Sequence, residues 1–315
     1  MKRTLLLLCI AAMTFFGASA AQAAYPEKPV NYIIPFNPGG ESDIFARAQQ
    51  RLMEKALGQS ILIHYKPGGG GALGWQELAK AKPDGYTTSG FNLPHIVLQP
   101  MFRKNAGYKT EDIVPVMIFM TTPNVLAVKK DSPYKTFADI LKAVKEKPGT
   151  ITIGGSGSQT ASHVGTLLLN KRAGVNFSYI PFGGTGDAMP ALMGGHVDAL
   201  MVHTSTVMSQ LDTVRVLAVA TEERFKGMPD VPTFKELGYP NYEGSTRGLA
   251  VPPGTPKAII DQLYKVCKEI NNTPGFADNL VANGFVLLDM DNAKALEFIK
   301  NQQKEYVSIM AELKK

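Results

Sequence analysis

Short apolar runs alternate with one-sided helical stretches along the whole of this chain. Strand-like runs fall at residues 30–34, 60–65, 86–91, 116–119, 124–128, 150–153, 176–181, 199–202, 214–220 and 249–251. Between them Ile44, Ala48, Leu52 and Ala56 recur at helical spacing, as do Ile260, Leu263, Cys267 and Ile270, and near the end Leu296, Ile299, Tyr306, Met310 and Leu313. Such alternation predicts an α/β fold with mainly parallel sheets. Thr121-Thr122-Pro123 interrupts two apolar strands, and residues 244–248 precede Leu249-Ala250-Val251. If the chain crosses between domains at both places, residues 24–123 and 248–315 form one discontinuous α/β domain and 124–247 the other. The pivots then lie at 122–124 and 247–249, and ligand binds in the cleft beyond the strands' carboxyl ends.

The first 23 residues carry Lys2 and Arg3, an apolar run over 5–16, and Ala21-Gln22-Ala23. This predicts a cleaved secretory signal, with cleavage before Ala24 or Tyr25 and export to the periplasm. A lipoprotein site needs a small residue before Cys9, and Leu8 stands there. Removal leaves about 290 residues, enough for two domains. It also lowers the formal charge from +6 to +4. The remaining lysines and arginines are scattered, which argues against nucleic acid as a partner. Cys267 alone survives processing, so no intramolecular disulfide forms, and its helical spacing places it on a buried face.

Three glycine-rich loops stand where strand runs meet helical ones. They are Pro35-Phe36-Asn37-Pro38-Gly39-Gly40-Glu41-Ser42-Asp43, Gly154-Gly155-Ser156-Gly157-Ser158-Gln159-Thr160, and Phe182-Gly183-Gly184-Thr185-Gly186-Asp187. Exposed backbone N–H groups and helix N-termini suit such loops to an anion, and together they suggest a carboxylate-binding cleft. Ser156, Ser158, Thr160 and Ser162 read as hydrogen-bond donors or as helix caps. Neutral donors to a charged group contribute roughly 1.5–3 kcal/mol each, so four or five leave about −8 kcal/mol, a micromolar constant, with no arginine clamp.

Other chemistries fit poorly. Gly69-Gly70-Gly71-Ala72-Leu73-Gly74 satisfies a dinucleotide pattern through a run of glycines, without an acidic residue ending a following strand, and reads as a tight turn lining the cleft wall. No glycine cluster continues into a P-loop lysine, and the nucleophile-elbow spacing fails around Ser156 and Ser158. No cofactor is expected. His64, His95, His163, His196 and His203 are dispersed without metal-ligand spacing. His163 orients its loop or sits in a core, while His203, Thr204 and Ser205 follow a strand and reach the cleft mouth. Asp43 invites a general-base reading, but a structural bond to the glycine loop fits it better. Glu41 faces solvent, or selects a ligand bearing a hydroxyl or amino group.

Taken in order, Pro35-Phe36-x-Pro38-Gly39-Gly40-x-x-Asp43-x-x-Ala46-Arg47, Pro83-Asp84-Gly85-Tyr86-Thr87, Gly155-Ser156-Gly157-Ser158 with His163, Gly194-Gly195-His196-Val197-Asp198, and Arg215-Val216-Leu217-Ala218-Val219 with Asp230-Val231-Pro232-Thr233 resemble one family. It is the family of tripartite tricarboxylate transporter substrate-binding proteins, also called Bug or TctC, and the resemblance runs from about Tyr25 to the C-terminal helix. It implies a non-enzymatic, two-domain periplasmic binding protein of type II, a Venus flytrap with a hinged interdomain cleft, which hands a di- or tricarboxylate to membrane permease subunits. The implied ligand contacts are Phe36, Asn37, Pro38, Gly39, Gly40, Ser42 and Asp43 of the first loop, with Phe182, Gly183, Gly184, Thr185, Gly186 and Asp187 of the second. Ser156, Gly157, Ser158, Gln159 and Thr160 supply further contacts, and Asn92, His203 and Thr204 complete the expected set. Many members carry Tyr-Lys-Gly where this chain has Phe182-Gly183-Gly184, and the extra glycine suggests room for a bulkier acid, a tricarboxylate or an aromatic dicarboxylate. A sensor presenting its closed form to a membrane kinase is the alternative role, and a monomer the expected state. An exported hydrolase or isomerase lacks a nucleophile–base pair.

Overall fold

The computed structural model describes residues 25–314, so the expected signal segment lies outside the described residues. Strand β1 (Val30–Ile34) leads into helix α1 (Glu41–Leu57), β2 (Ile61–Tyr65), a glycine turn, α2 (Ala72–Ala79), β3 (Thr87–Leu93) and α3 (His95–Phe102). A long β4 (Val114–Lys129) is followed by α4 (Phe137–Glu146), β5 (Thr152–Gly155), α5 (Ala161–Ala173), β6 (Ser178–Pro181), α6 (Thr185–Met193), β7 (Ala199–His203), α7 (Thr204–Met208) and β8 (Val214–Val219). The chain returns through β9 (Gly244–Val251), α8 (Lys257–Asn271), α9 (Phe276–Ala282), β10 (Val286–Asp291) and α10 (Asn292–Lys314).

Strand β4 is the spine of the molecule. Its first half pairs with β9 and β10, and beyond β9 the order continues through β3, β1 and β2. Its second half pairs with β7 and β8, and beyond β7 the order continues through β5 and β6. Among the described residues four strand pairs are parallel and five antiparallel, which corrects the expectation of mainly parallel sheets. The antiparallel pairs all involve β4, which runs through both halves, or β9.

Pro123 does not break β4 into two strands. It sits opposite Gly244 at the end of the β9 ladder, and the next residue, Asn124, donates its N–H to Glu243 O at 2.9 Å and aligns with His203 of β7. Residues 244–247 pair with β4 and residues 246–247 also with β3.

Alternation along the strands separates the cores. Leu249 and Val251 face the cluster made by α1 and α8, while Ala250 faces the one made by α2, α3 and α10. In the second half Leu126 and Val128 pack under α4 and α5, and Val125 and Ala127 under α6 and α7. The stripe expected on α1 is one residue out of register. Ile44 is 54% exposed, and the buried face is Phe45, Gln49, Met53 and Leu57, with Phe45 stacked on Phe119 at 4.4 Å between ring centroids. On α10, Leu296 is likewise exposed and Ala295 takes the buried position. On α8 the stripe of Ile260, Leu263, Cys267 and Ile270 is buried throughout, and burial pushes the Cys267 thiol up to about 12.

Candidate functional site

Strand ends and helix starts meet at one point between the halves. The first residues of α1, α3 and α6, which are Glu41, His95 and Thr185, all stand on the wall of a single narrow cavity. The remaining lining residues are Phe36, Gly40, Ser42, Asn92, Ser156, His203 and Arg247. Asn92 lies in β3 and Arg247 in β9, paired side by side in register. Helix starts bring positive potential from their unpaired N–H groups, so the cavity is electrostatically suited to an anion.

Seven of the expected residues thus line the cavity, namely Phe36, Gly40, Ser42, Asn92, Ser156, Thr185 and His203. The others are placed around it. Asn37 donates to Asp187 Oδ2 at 2.6 Å, and its backbone N–H points at Gly183 O at 3.4 Å, which joins the first and second glycine loops across the cleft. Pro38 packs on Gly186, where an added Cβ would lie 2.8 Å from Pro38 O, so only glycine permits the loops to approach this closely. Gly184 precedes α6 and its carbonyl accepts from Ala188. Asp43 is engaged within its own half, accepting from Gly39 N at 2.8 Å, Arg47 Nε at 2.8 Å and Tyr65 OH at 2.7 Å.

Gly157, Ser158, Phe182 and Gly183 face a neighbouring open pocket shared with residues 68–71 and Arg103. Gln99 bridges to that loop, donating to Ser158 O at 2.8 Å and Gln159 O at 3.2 Å. Thr160 caps α5 and donates to Gly157 O, so its hydroxyl is occupied. His163 accepts from Gln159 N and stacks on Tyr179, which orients the loop as one of the sequence readings held. Thr204 donates to Gly284 O at 2.6 Å and does not line the cavity.

Two features depart from expectation. Glu41 does not face solvent: it is 3% exposed, and its carboxylate pairs with Arg247 Nη2, accepts from Ser205 Oγ, and lies 3.7 Å from His203 Nε2. An arginine is therefore present in the wall, held also by a bond from Nη1 to Thr122 Oγ1 at 2.7 Å. The second departure is at Gly183. An added Cβ there would lie 2.5 Å from Asn37 Nδ2 and 2.7 Å from Asp187 Oδ2, so the space left by glycine is filled by that interloop bond and does not widen the cavity.

Arg247 and His95 are the lining residues that sequence reasoning missed, and for Glu41 the solvent-facing one of its two readings fails. Arg247 sits in Gly244-Ser245-Thr246-Arg247, which shows no apolar alternation yet forms the buried start of β9. His95 directly follows β3 and Pro94, a strand-end position that was the available signal. Burial holds both His95 and His203 well below the usual histidine range, and the nearby Arg247 cation adds to it, so the imidazoles are neutral. Burial also lowers the Arg247 guanidinium, against the pull of Glu41.

The sequence profile of the tripartite tricarboxylate transporter family receptor, TctC, matches residues 45–314. The chain belongs to this TctC family. A relative from Pseudomonas sp. strain P51, described as a UPF0065 protein in the tcbD-tcbE intergenic region, is 33% identical over 83% of this chain and 79% of its own. The periplasmic binding protein BugD superposes with a TM-score of 0.87 at 29% identity, covering 92% of this chain and 98% of BugD. MatC from Rhodopseudomonas palustris, solved with bound malate, superposes with a TM-score of 0.85 at 28% identity, covering 90% and 99%. TctC proteins are periplasmic substrate-binding components of transport systems and not enzymes, and this chain shares their two-domain α/β binding-protein fold. No helix among the described residues is long and apolar enough to cross a membrane.

Proposed function

We propose that this TctC-family chain is an exported receptor that captures a small organic acid in the cavity at residues 36–42 and 185 and delivers it, closed, to the permease of a tripartite tricarboxylate transporter. The carrying observation is the convergence of three helix starts and of Ser42, Ser156 and Thr185 on one cavity. Residues 25–123 and 244–314 form one domain in this reading and 124–243 the other, with the pivot where Pro123 and Gly244 lie side by side. Ligand closes the cleft because its contacts to both halves exist only in the closed form. MatC's malate supports a dicarboxylate of few carbons, and the filled space at Gly183 speaks against a bulky aromatic diacid.

A thermal-shift screen of ligand-stripped protein against aliphatic dicarboxylates, citrate, aromatic diacids and acidic amino acids tests the reading. At a hundredfold excess over Kd a true ligand should add about 2.7 kcal/mol of stability. Ser42→Ala, Ser156→Ala and Thr185→Ala should each weaken that ligand by about tenfold, the loss of one hydrogen bond to a charged group. Folded protein that responds to none of these acids would overturn it.

A further inference from the structure

Of the ten residues lining the cavity, Glu41 and Arg247 are its charged pair, and they cancel one another. The two lining histidines are neutral, and Phe36, Gly40, Ser42, Asn92, Ser156 and Thr185 carry no charge. A bound acid therefore meets a negative side chain whose only cation is already engaged. A carboxylate offers about four acceptor positions. Arg247 Nη2 takes one on Oε2 and Ser205 Oγ one on Oε1, while His203 Nε2 at 3.7 Å is too far to take another. Its backbone is fixed as well, since Glu41 N donates to Thr185 Oγ1 at 3.1 Å. A buried carboxylate with free acceptor positions calls for a donor.

A second observation points the same way. Arg247 Nε, His203 Nδ1 and His95 Nδ1 are buried without any partner, and all three belong to lining residues. The wall thus leaves donors and acceptors open together, which a ligand carrying acceptors alone does not satisfy.

We propose that Glu41 is the specificity-determining residue of this receptor and accepts a hydrogen bond from an ammonium or hydroxyl group on the ligand. The chemical class is then an amino acid or hydroxy acid rather than an unsubstituted acid. This rests on the receptor reading above and narrows it. A hydroxyl fills an open acceptor position on Glu41, and an ammonium fills it and is attracted by the charge as well, so the order of affinity is amino acid, hydroxy acid, plain acid.

Calorimetry on the ligand-stripped mature protein with two matched series decides the matter. The series are succinate, malate and aspartate, and propionate, lactate and alanine. In a series that binds, the tightest donor-bearing acid should exceed the plain acid by at least about tenfold, as a charge-assisted hydrogen bond provides. Glu41→Gln should shrink that ratio to about threefold or less and tighten the plain acid, a gain that mere loss of structure does not produce. Ser205→Ala, which opens one more acceptor position on Glu41, should widen the ratio and serves if Glu41→Gln fails to fold, and the wild-type ratio stands without any variant. Malate arms set against aspartate arms separate hydroxyl from ammonium recognition. Equal affinities for plain and substituted acids in the wild type, or an unchanged ratio in Glu41→Gln, would overturn the role of Glu41 and leave the receptor reading intact. Silence of both series and of citrate in folded protein would overturn both.

Discussion

The glycine loops at residues 36–43 and 182–187 follow one plan, strand to glycine turn to helix, yet they are held by different partners. In the first, Asp43 gathers Gly39, Arg47 and Tyr65 from its own half of the molecule. In the second, Asp187 accepts from Asn37, Gly183 O from Asn37 N, and Thr185 Oγ1 from Glu41 N, all across the cleft. The bonds of Asp43 thus stay within one half, whereas those of Asp187, Gly183 and Thr185 join the two halves. One composition yields a jaw held from its own half on one side and a jaw tied to the opposite half on the other.

The largest test of the contrast is Arg247→Met. It leaves the Glu41 carboxylate of the first jaw buried without its cation, and denaturant unfolding should show a loss of about 3–5 kcal/mol. A loss under about 1 kcal/mol would mean that Glu41 relaxes to solvent and the first loop is no more self-supported than the second.

Next in size is the crossing between the halves. Burial raises Glu243 to about 7, with Glu305 adding to it and Tyr306, which donates to Glu243 Oε2 at 2.8 Å, and Arg172 opposing. The folded state holds this proton more tightly than the unfolded chain. The contribution to stability is therefore complete below about pH 4.5 and is lost as pH rises through about 7. Glu243→Gln should flatten this slope, matching the parent at pH 4 and exceeding it at pH 8 by up to about 3 kcal/mol, the worth of a shift of this size. Urea midpoints across that range check it. Parallel slopes for parent and variant would assign the pH dependence elsewhere.

The smallest effects sharpen the contrast most directly. Asp43→Asn should lower the stability of ligand-free protein by about 2 kcal/mol, since three bonds to a carboxylate are weakened. Asp187→Asn should leave ligand-free stability within about 0.5 kcal/mol and weaken ligand binding by roughly tenfold. Equal losses of stability in both variants would erase the distinction between the two jaws.

Much of this was legible in the chain because local rules decide it. Strand runs with glycine turns placed the loops that meet at the cavity, and the alternation of strands and helices gave the α/β class. The stripe through Cys267 was read in the right register because every member of it is apolar. On α1 two stripes compete, and the apolar-looking one through Ile44 and Ala48 lost to a stripe that contains Gln49. Gln49 is buried and donates to Asn271 Oδ1 on α8, so a polar side chain belongs to the core only because another element supplies its partner.

Sequence by itself determined what depends on neighbours in the chain: the order of elements, the glycine turns, the helix starts that face an anion, and a pattern of motifs specific enough to indicate the TctC family. Tertiary structure alone decided what depends on residues far apart. Glu41 and Arg247 are separated by 206 positions, and neither spacing nor propensity says that an exposed-looking glutamate will turn inward to meet an arginine in a strand without apolar alternation. The continuity of β4 through Pro123 was settled in the same way, by the pairing of β9 and β7 along it. Long-range partners set the cost of burying a charge or an unpaired backbone group, and that cost becomes known only when the partner is in place.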